Sequence, residues 1–152
     1  MFTFETNKGR WYVVDKKIIL ASQSPRRREL LALLEEPFQV VSSNVEETFV
    51  KGRDLKEQIC DLAKRKAHAV FKDHSDAVVI SADTIVVYQN QILEKPENEA
   101  KAKEMLAMLS GSEHQVWTAF HIISSEREET DLVISNVKFY DLTEEEIDAY
   151  VA

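Results

Sequence analysis

The segment IILASQSPRRRELLALL, residues 18 to 34, sets three consecutive arginines where a helix should begin. The first turn of a helix carries unsatisfied N–H groups and a partial positive charge, so cations there are disfavoured unless an anion neutralises them. Ser24 is a suitable N-cap, Pro25 suits the first helical position, and the apolar run KIILA at residues 17–21 reads as a buried strand leading into it. Strand, Ser-x-Ser turn and helix N-terminus together make an anion site, with backbone N–H groups, the hydroxyls of Ser22 and Ser24, and guanidinium forks that match phosphate oxygens. At about 100° per residue, Leu30, Leu31, Leu33 and Leu34 form the stripe expected to be buried, with Arg26 and Arg27 on its flanks and Arg28 opposite. Arg26 and Arg27 are therefore expected to edge a cleft and Arg28 to sit in solvent. The chemistry implied is recognition of a phosphate-bearing substrate; the alternative is a solvated helix start whose arginines pair with Glu29, Glu35 or Glu36.

Two further residues stand where their types are expensive. Lys66 projects near the middle of the apolar stripe Leu55, Ile59, Leu62, Ala63 and Val70, so it either runs along that stripe to water or meets an acidic group at the cleft. Asp83 lies between VVI and IVV, where an ionised carboxylate needs a partner, a metal or hydrogen bonds. The alternative for Asp83 is a bulge or turn between two strands, with Thr84 as its local companion. Glu46 and Glu47 follow the second predicted strand in a loop that can face the same end of the sheet, and Lys95 precedes Pro96 in an extended segment. Read singly, these last three are ordinary solvated charges.

The elements that must position these groups follow from periodicity and breakers. FQVVSS reads as a second strand, Asp54 caps a long helix of about residues 55–73, and AVVISADTIVVYQNQILEKP, residues 77–96, gives two strand-like runs interrupted at Ala82-Asp83-Thr84, with QNQ as a turn. A helix near residues 97–109 stops at Gly111, HQVWTAFHIIS and TDLVISNVKFYDL form a hairpin, and Thr143 with Glu146 makes the capping box of a last helix. The fold class is α/β, a mixed twisted sheet flanked by helices, in one domain over residues 17–152 after an N-terminal extension, residues 1–16, that reads as a tail or an added strand. At 152 residues the chain is long enough for one sizeable core. Its net charge of −8 argues against nucleic acid and membrane surfaces as partners. A single cysteine, Cys60, allows no intrachain disulfide and suits a reducing, cytoplasmic compartment.

Taken in order, LASQSPRRRELL, VEE, LAKRKA, SADTIVV, LEKP, LSGSEHQVWTA and LTEEEIDAYV resemble the Maf nucleotide pyrophosphatases, relatives by fold of the inosine triphosphate pyrophosphatases. The resemblance covers residues 17–151 and implies metal-dependent hydrolysis of a nucleoside triphosphate to the monophosphate and pyrophosphate. The Ala-Asp-Thr segment resembles the branch acting on dTTP and UTP, whereas the 7-methyl-GTP branch reads Ser-Asp-Gln there. By position, the resemblance implies Ser22, Arg26 and Arg27 on phosphates, and Glu46, Lys66, Asp83 and Lys95 around the reacting phosphorus and a Mg2+ or Mn2+ ion, with Glu46 and Asp83 as the metal ligands and Thr84 and Lys95 counted toward the substrate. It also implies a homodimer. Family chains continue past the last helix into a Lys-Ala-Gly-x-Tyr-x-Ile-Gln segment that helps close the nucleotide site. A chain ending at Ala152 is thus expected to be weakly active and prone to associate. The competing expectation is a non-catalytic nucleotide-binding protein or a regulator of cell division.

Overall fold

The computed structural model describes residues 2–5, 11–14 and 16–152. The N-terminal stretch, whose remaining residues lie outside that description, contributes β1 (Phe2–Glu5) and β2 (Trp11–Val14), an antiparallel pair in a two-stranded sheet of its own. The elements that follow are β3 (Ile18–Leu20), α1 (Pro25–Ala32), β4 (Phe38–Val40), α2 (Leu55–Phe71), β5 (Val78–Tyr88), β6 (Gln91–Leu93), α3 (Glu99–Leu109), β7 (Glu113–Ile123), β8 (Glu128–Lys138) and α4 (Glu144–Val151). The larger sheet has the order β4-β3-β5-β7-β8, with β6 paired to β5. Strand β3 runs parallel to both neighbours, Ile19 lying opposite Gln39 and Val79, and β6 runs antiparallel to β5. This is the mixed sheet flanked by helices that the alternation of short apolar runs and capped helices predicts. Among the described residues, no helix is long and apolar enough to cross a membrane.

The chain forms two compact units, one made of residues through Asp83 with Ala119–Leu132, the other of Thr84–Thr118 with Val133–Ala152. In the first unit, all three residues of β3 are buried, as a central parallel strand requires. Ile19 and Ala21 pack with Val79 of β5, Ile123 of β7, and Ala67 and Val70 of α2. The α2 stripe of Ile59, Leu62, Ala63, Ala67 and Val70 is buried as its helical period predicts. In the second unit, α4 has the predicted capping box between Thr143 and Glu146, and Lys103 of α3 meets Asp148 of α4 at 2.7 Å.

Two expectations are corrected. Strand β5 runs through Ala82, Asp83 and Thr84 without a break, so Asp83 is an interior strand residue rather than part of a turn. The turn comes where QNQ predicts it, at Gln89 and Asn90, both at positive φ, in the two-residue connection of a hairpin. The leucine stripe of α1 is the second correction: none of the described residues of α1 is buried, and Leu30, Leu33 and Leu34 are exposed, Leu33 to 76%. The helix ends at Ala32, with Leu33 as its C-cap and Glu35 at a φ of 57°, so a helical projection does not extend to Leu33 and Leu34.

Gly111, just beyond α3, has a φ of 64° and donates its N–H to the Tyr140 carbonyl at 3.1 Å. A Cβ there would collide with the Asp141 carboxylate. Gly111→Ala is therefore expected to cost about 1–2 kcal/mol through the left-handed backbone, while the exposed Asp141 side chain can turn aside from the added methyl. The urea midpoint measures the loss, and a midpoint equal to wild type would remove that cause.

Candidate active site

The site begins at the end of β3. The ladder continues from Ala21 N–H to the Ile80 carbonyl at 2.8 Å, and the chain then turns through Ser22, Gln23 and Ser24. Ser22 Oγ accepts from the Ser24 N–H at 3.1 Å and from Arg27 Nη1 at 3.3 Å, while Ser24 Oγ caps α1 through the Arg27 N–H. The hydroxyl and guanidinium expected on phosphate are thus brought together at a helix N-terminus. Arg26 and Arg28 are both exposed, and of the three arginines Arg27 is the one lining the cleft. The cleft holds about 300 Å3 and its lining includes Ser22, Ser24, Arg27, Asn44, Glu47 and Lys66.

The floor is set by the fit of β5 on α2. Alternation along the strand turns Val79, Ser81 and Asp83 to one buried face. Ser81 Oγ donates to the Ala63 carbonyl at 2.5 Å, and two residues further along the strand Asp83 Oδ1 accepts from Lys66 Nζ at 2.6 Å. Positions 63 and 66 are three apart on the helix, so one strand step of two residues is matched to nearly one helical turn. Lys66 therefore does not run out to water; it is 8% exposed, and Asp83 is 6% exposed.

The Lys66 ammonium also meets a second carboxylate, that of Glu47. Glu47 lies on the irregular segment between β4 and α2, which is fastened back to α2 by Gln58: its Oε1 accepts from the Val50 N–H at 2.6 Å, and its Nε2 donates to the Val50 and Arg53 carbonyls. Glu46 is exposed, and its carbonyl faces Arg65. The carboxylate drawn to the pair is Glu47, one residue on from the position expected for the ligand. No periodicity marks which of two adjacent loop glutamates turns inward. Thr84 and Lys95 fall in the second unit. Thr84, on the opposite face of β5 from Asp83, shares a 3.0 Å hydrogen bond with Thr118, and Lys95 is exposed beside Glu94 and Pro96.

Burial pushes the Asp83 carboxyl above the ordinary aspartate range; the Lys66 hydrogen bond and charge oppose that shift, the Glu47 charge adds to it, and Arg27 opposes it. Asp83 Oδ2 is buried with no hydrogen-bond partner among the described residues. A second carboxylate, Glu47, stands on the same ammonium. This oxygen-rich donor set, with one buried oxygen left over, fits a hard divalent cation.

Comparison with known proteins shows what the chain is similar to. The family profile described as Maf-like protein matches residues 17–152. The dTTP/UTP pyrophosphatase of Bacillus mycoides (strain KBAB4) is 53% identical over 137 residues, which cover 90% of this chain and 72% of that protein. The dTTP/UTP pyrophosphatase of Bacillus cereus (strain ATCC 10987 / NRS 248) is 52% identical over 137 residues, covering 90% of this chain and 68% of that protein. Among solved structures, the Staphylococcus aureus Ham1 protein shares the fold, with a TM-score of 0.52 at 17% identity over 80% of this chain and 70% of that one.

Removing the Lys66 charge tests the floor of the cleft. Lys66→Met leaves Asp83 buried without its cation and is expected to cost about 3–5 kcal/mol at neutral pH. Asp83 loses a group that holds its pKa down, so that pKa rises further. A carboxyl whose folded pKa lies above its unfolded value of 3.8 destabilises the fold increasingly as pH climbs through that interval, and the penalty vanishes below it. The deficit of the variant should accordingly shrink as pH is lowered from about 8 toward about 4, read from paired urea melts. A deficit independent of pH would mean that Lys66 contributes by packing alone.

Proposed function

Because the chain belongs to the Maf-like protein family, we propose that it hydrolyses nucleoside triphosphates, dTTP and UTP foremost, to the nucleoside monophosphate and pyrophosphate. The observation that carries the reading is the buried Lys66–Asp83 pair, with Asp83 Oδ2 unpartnered, at the floor of a cleft whose rim bears Arg27, Ser22 and Ser24. In this reading Arg27 and the two serine hydroxyls at the start of α1 bind the phosphate chain, and the exposed Arg26 has no part in lining the cleft. Asp83 and Glu47 hold a Mg2+ or Mn2+ ion through carboxylate oxygens; Glu47 takes the role that the motif alone suggests for Glu46. The ion, when bound, neutralises charge on the phosphate oxygens and lowers the pKa of bound water.

The remaining work belongs to the chain's own side chains. Water adds to the α-phosphorus as the bond to the pyrophosphate oxygen breaks, and the water proton passes to a carboxylate of the floor. We assign that proton to Asp83, the more deeply buried of the two carboxylates. Lys66 fixes the Oδ1 side of that carboxylate, and Arg27 stabilises charge gathering on the departing pyrophosphate. The assignment of Thr84 and Lys95 to the substrate rests on their Ala-Asp-Thr and Glu-Lys-Pro motifs. A homodimer in the cytoplasm belongs to the same reading, supported by the family resemblance and by Cys60 as the only cysteine.

The test is a nucleotide panel with Mg2+ or Mn2+, scored for pyrophosphate. Asp83→Asn is expected to lower turnover by more than about a hundredfold with the fold retained, because a charge aimed at the reacting centre is worth several kcal/mol. Wild-type turnover in a folded Asp83→Asn protein would discard the site. In the same assay Arg27→Ala should raise KM for the triphosphate by about tenfold or more, and Arg28→Ala should leave it unchanged. Tight dTTP binding without pyrophosphate release would favour the non-catalytic, regulatory alternative.

A further inference from the structure

A second cluster lies in the same unit, on residues the pyrophosphatase chemistry does not use. His68 of α2, His121 of β7 and Glu128 of β8 bring their ligand atoms within 4.8 Å of one another. Both imidazoles converge on a single oxygen: Glu128 Oε2 lies 2.6 Å from His68 Nε2 and 3.1 Å from His121 Nε2. The rings are tilted by 47° with centroids 5.6 Å apart, so they meet at their nitrogen edges rather than stacking. His121 is 2% exposed, and its Nδ1 is held by the Thr130 hydroxyl.

We propose that His68, His121 and Glu128 form a binding site for a transition cation of the Zn2+ class, distinct in residues and in chemistry from the oxygen-lined site at Asp83. Two imidazole nitrogens and one carboxylate oxygen suit Zn2+, Co2+ or Ni2+, whereas Mg2+ and Mn2+ prefer oxygen sets. Thr130 supplies the outer hydrogen bond that metal-bound histidines normally make: accepting from Nδ1–H, it turns the Nε2 lone pair toward the cluster. The closest pair must open only from 2.6 Å to ~3.3 Å, the edge of a tetrahedron with metal–ligand bonds near 2.0 Å. Three protein ligands leave the fourth position to water. Lys64 Nζ, 4.0 Å from Glu128 Oε1, opposes a cation; it is half-exposed and can turn away into solvent. The ion would join α2 to the β7–β8 hairpin and, binding the folded state alone, would stabilise it by mass action.

The test uses the full chain stripped of metal and titrated with Co2+, whose visible absorption distinguishes four-coordinate nitrogen–oxygen sites from six-coordinate oxygen sites. One equivalent should give a four-coordinate band that Zn2+ displaces and a large excess of Mg2+ does not, and Zn2+ should raise the melting temperature. His68→Ala and Glu128→Gln, both at exposed positions, should weaken Zn2+ by about tenfold or more. Asp83→Asn should leave the band in place, and Lys64→Gln should tighten Zn2+. Absence of a four-coordinate band in the wild-type protein would overturn the proposal, as would Zn2+ affinity unchanged in a folded His68→Ala protein or a band lost in Asp83→Asn and kept in His68→Ala.

Discussion

The rest of the first unit is arranged around one contact, the 2.6 Å bond between the buried ammonium of Lys66 and the buried carboxylate of Asp83. Neither charge is tolerable alone at that depth, so the pair dictates the register of β5 on α2, and the Ser81–Ala63 hydrogen bond one step away keeps the same register. Hydrophobic residues of similar volume would serve stability as well or better. A pair kept at the floor of an open cleft, with one carboxylate oxygen unused, therefore makes sense as a tool of chemistry rather than as an anchor. Glu47 adds a second carboxylate to the same ammonium, and Arg27 lines the same cleft with a second positive charge.

Charge is distributed with the same logic on a larger scale. A chain of net charge −8 repels polyanions over most of its surface. Within the cleft, however, Arg27, Lys66 and the N-terminus of α1 are gathered by short-range geometry: a three-residue strand, a serine-rich turn and a cap. The anion site is thus local, and it discriminates by depth. In the proposed reading, phosphates would meet hydroxyls and guanidinium at the rim, with the carboxylates beyond them at the floor.

How much of this was legible in the sequence depended on how much each residue's placement is dictated by its neighbours. Lys66 and Asp83 could be found because each violates the pattern of the element that carries it, an apolar helical stripe and an apolar strand. Ser24, Asp54 and Thr143 could be found because helix caps are local chemistry. That Glu47 rather than Glu46 meets Lys66 could not, since both lie in an irregular segment where no periodicity ranks adjacent residues. The α1 leucines misled for a related reason: their spacing fits a helical face, but the helix stops before two of them. His68, His121 and Glu128 left no sequence signal, because long-range pairing of three elements is what unites them.

Helix α2 links the cleft to the histidine cluster. Its buried stripe fixes it to the sheet, Asp54 and Gln58 tie its first turns to the loop carrying Glu47, and Lys66 enters the cleft from within the stripe. His68 follows two residues later, about 200° around the helix, and so faces away from Lys66. That angular separation would let one helix serve both proposed sites, one lined by carboxylates and one by imidazoles. An ion at either site meets few ligands suited to the other. Because both sites bear on the same rigid element, a cation held at His68 would restrain the helix that positions Lys66 without touching the cleft itself.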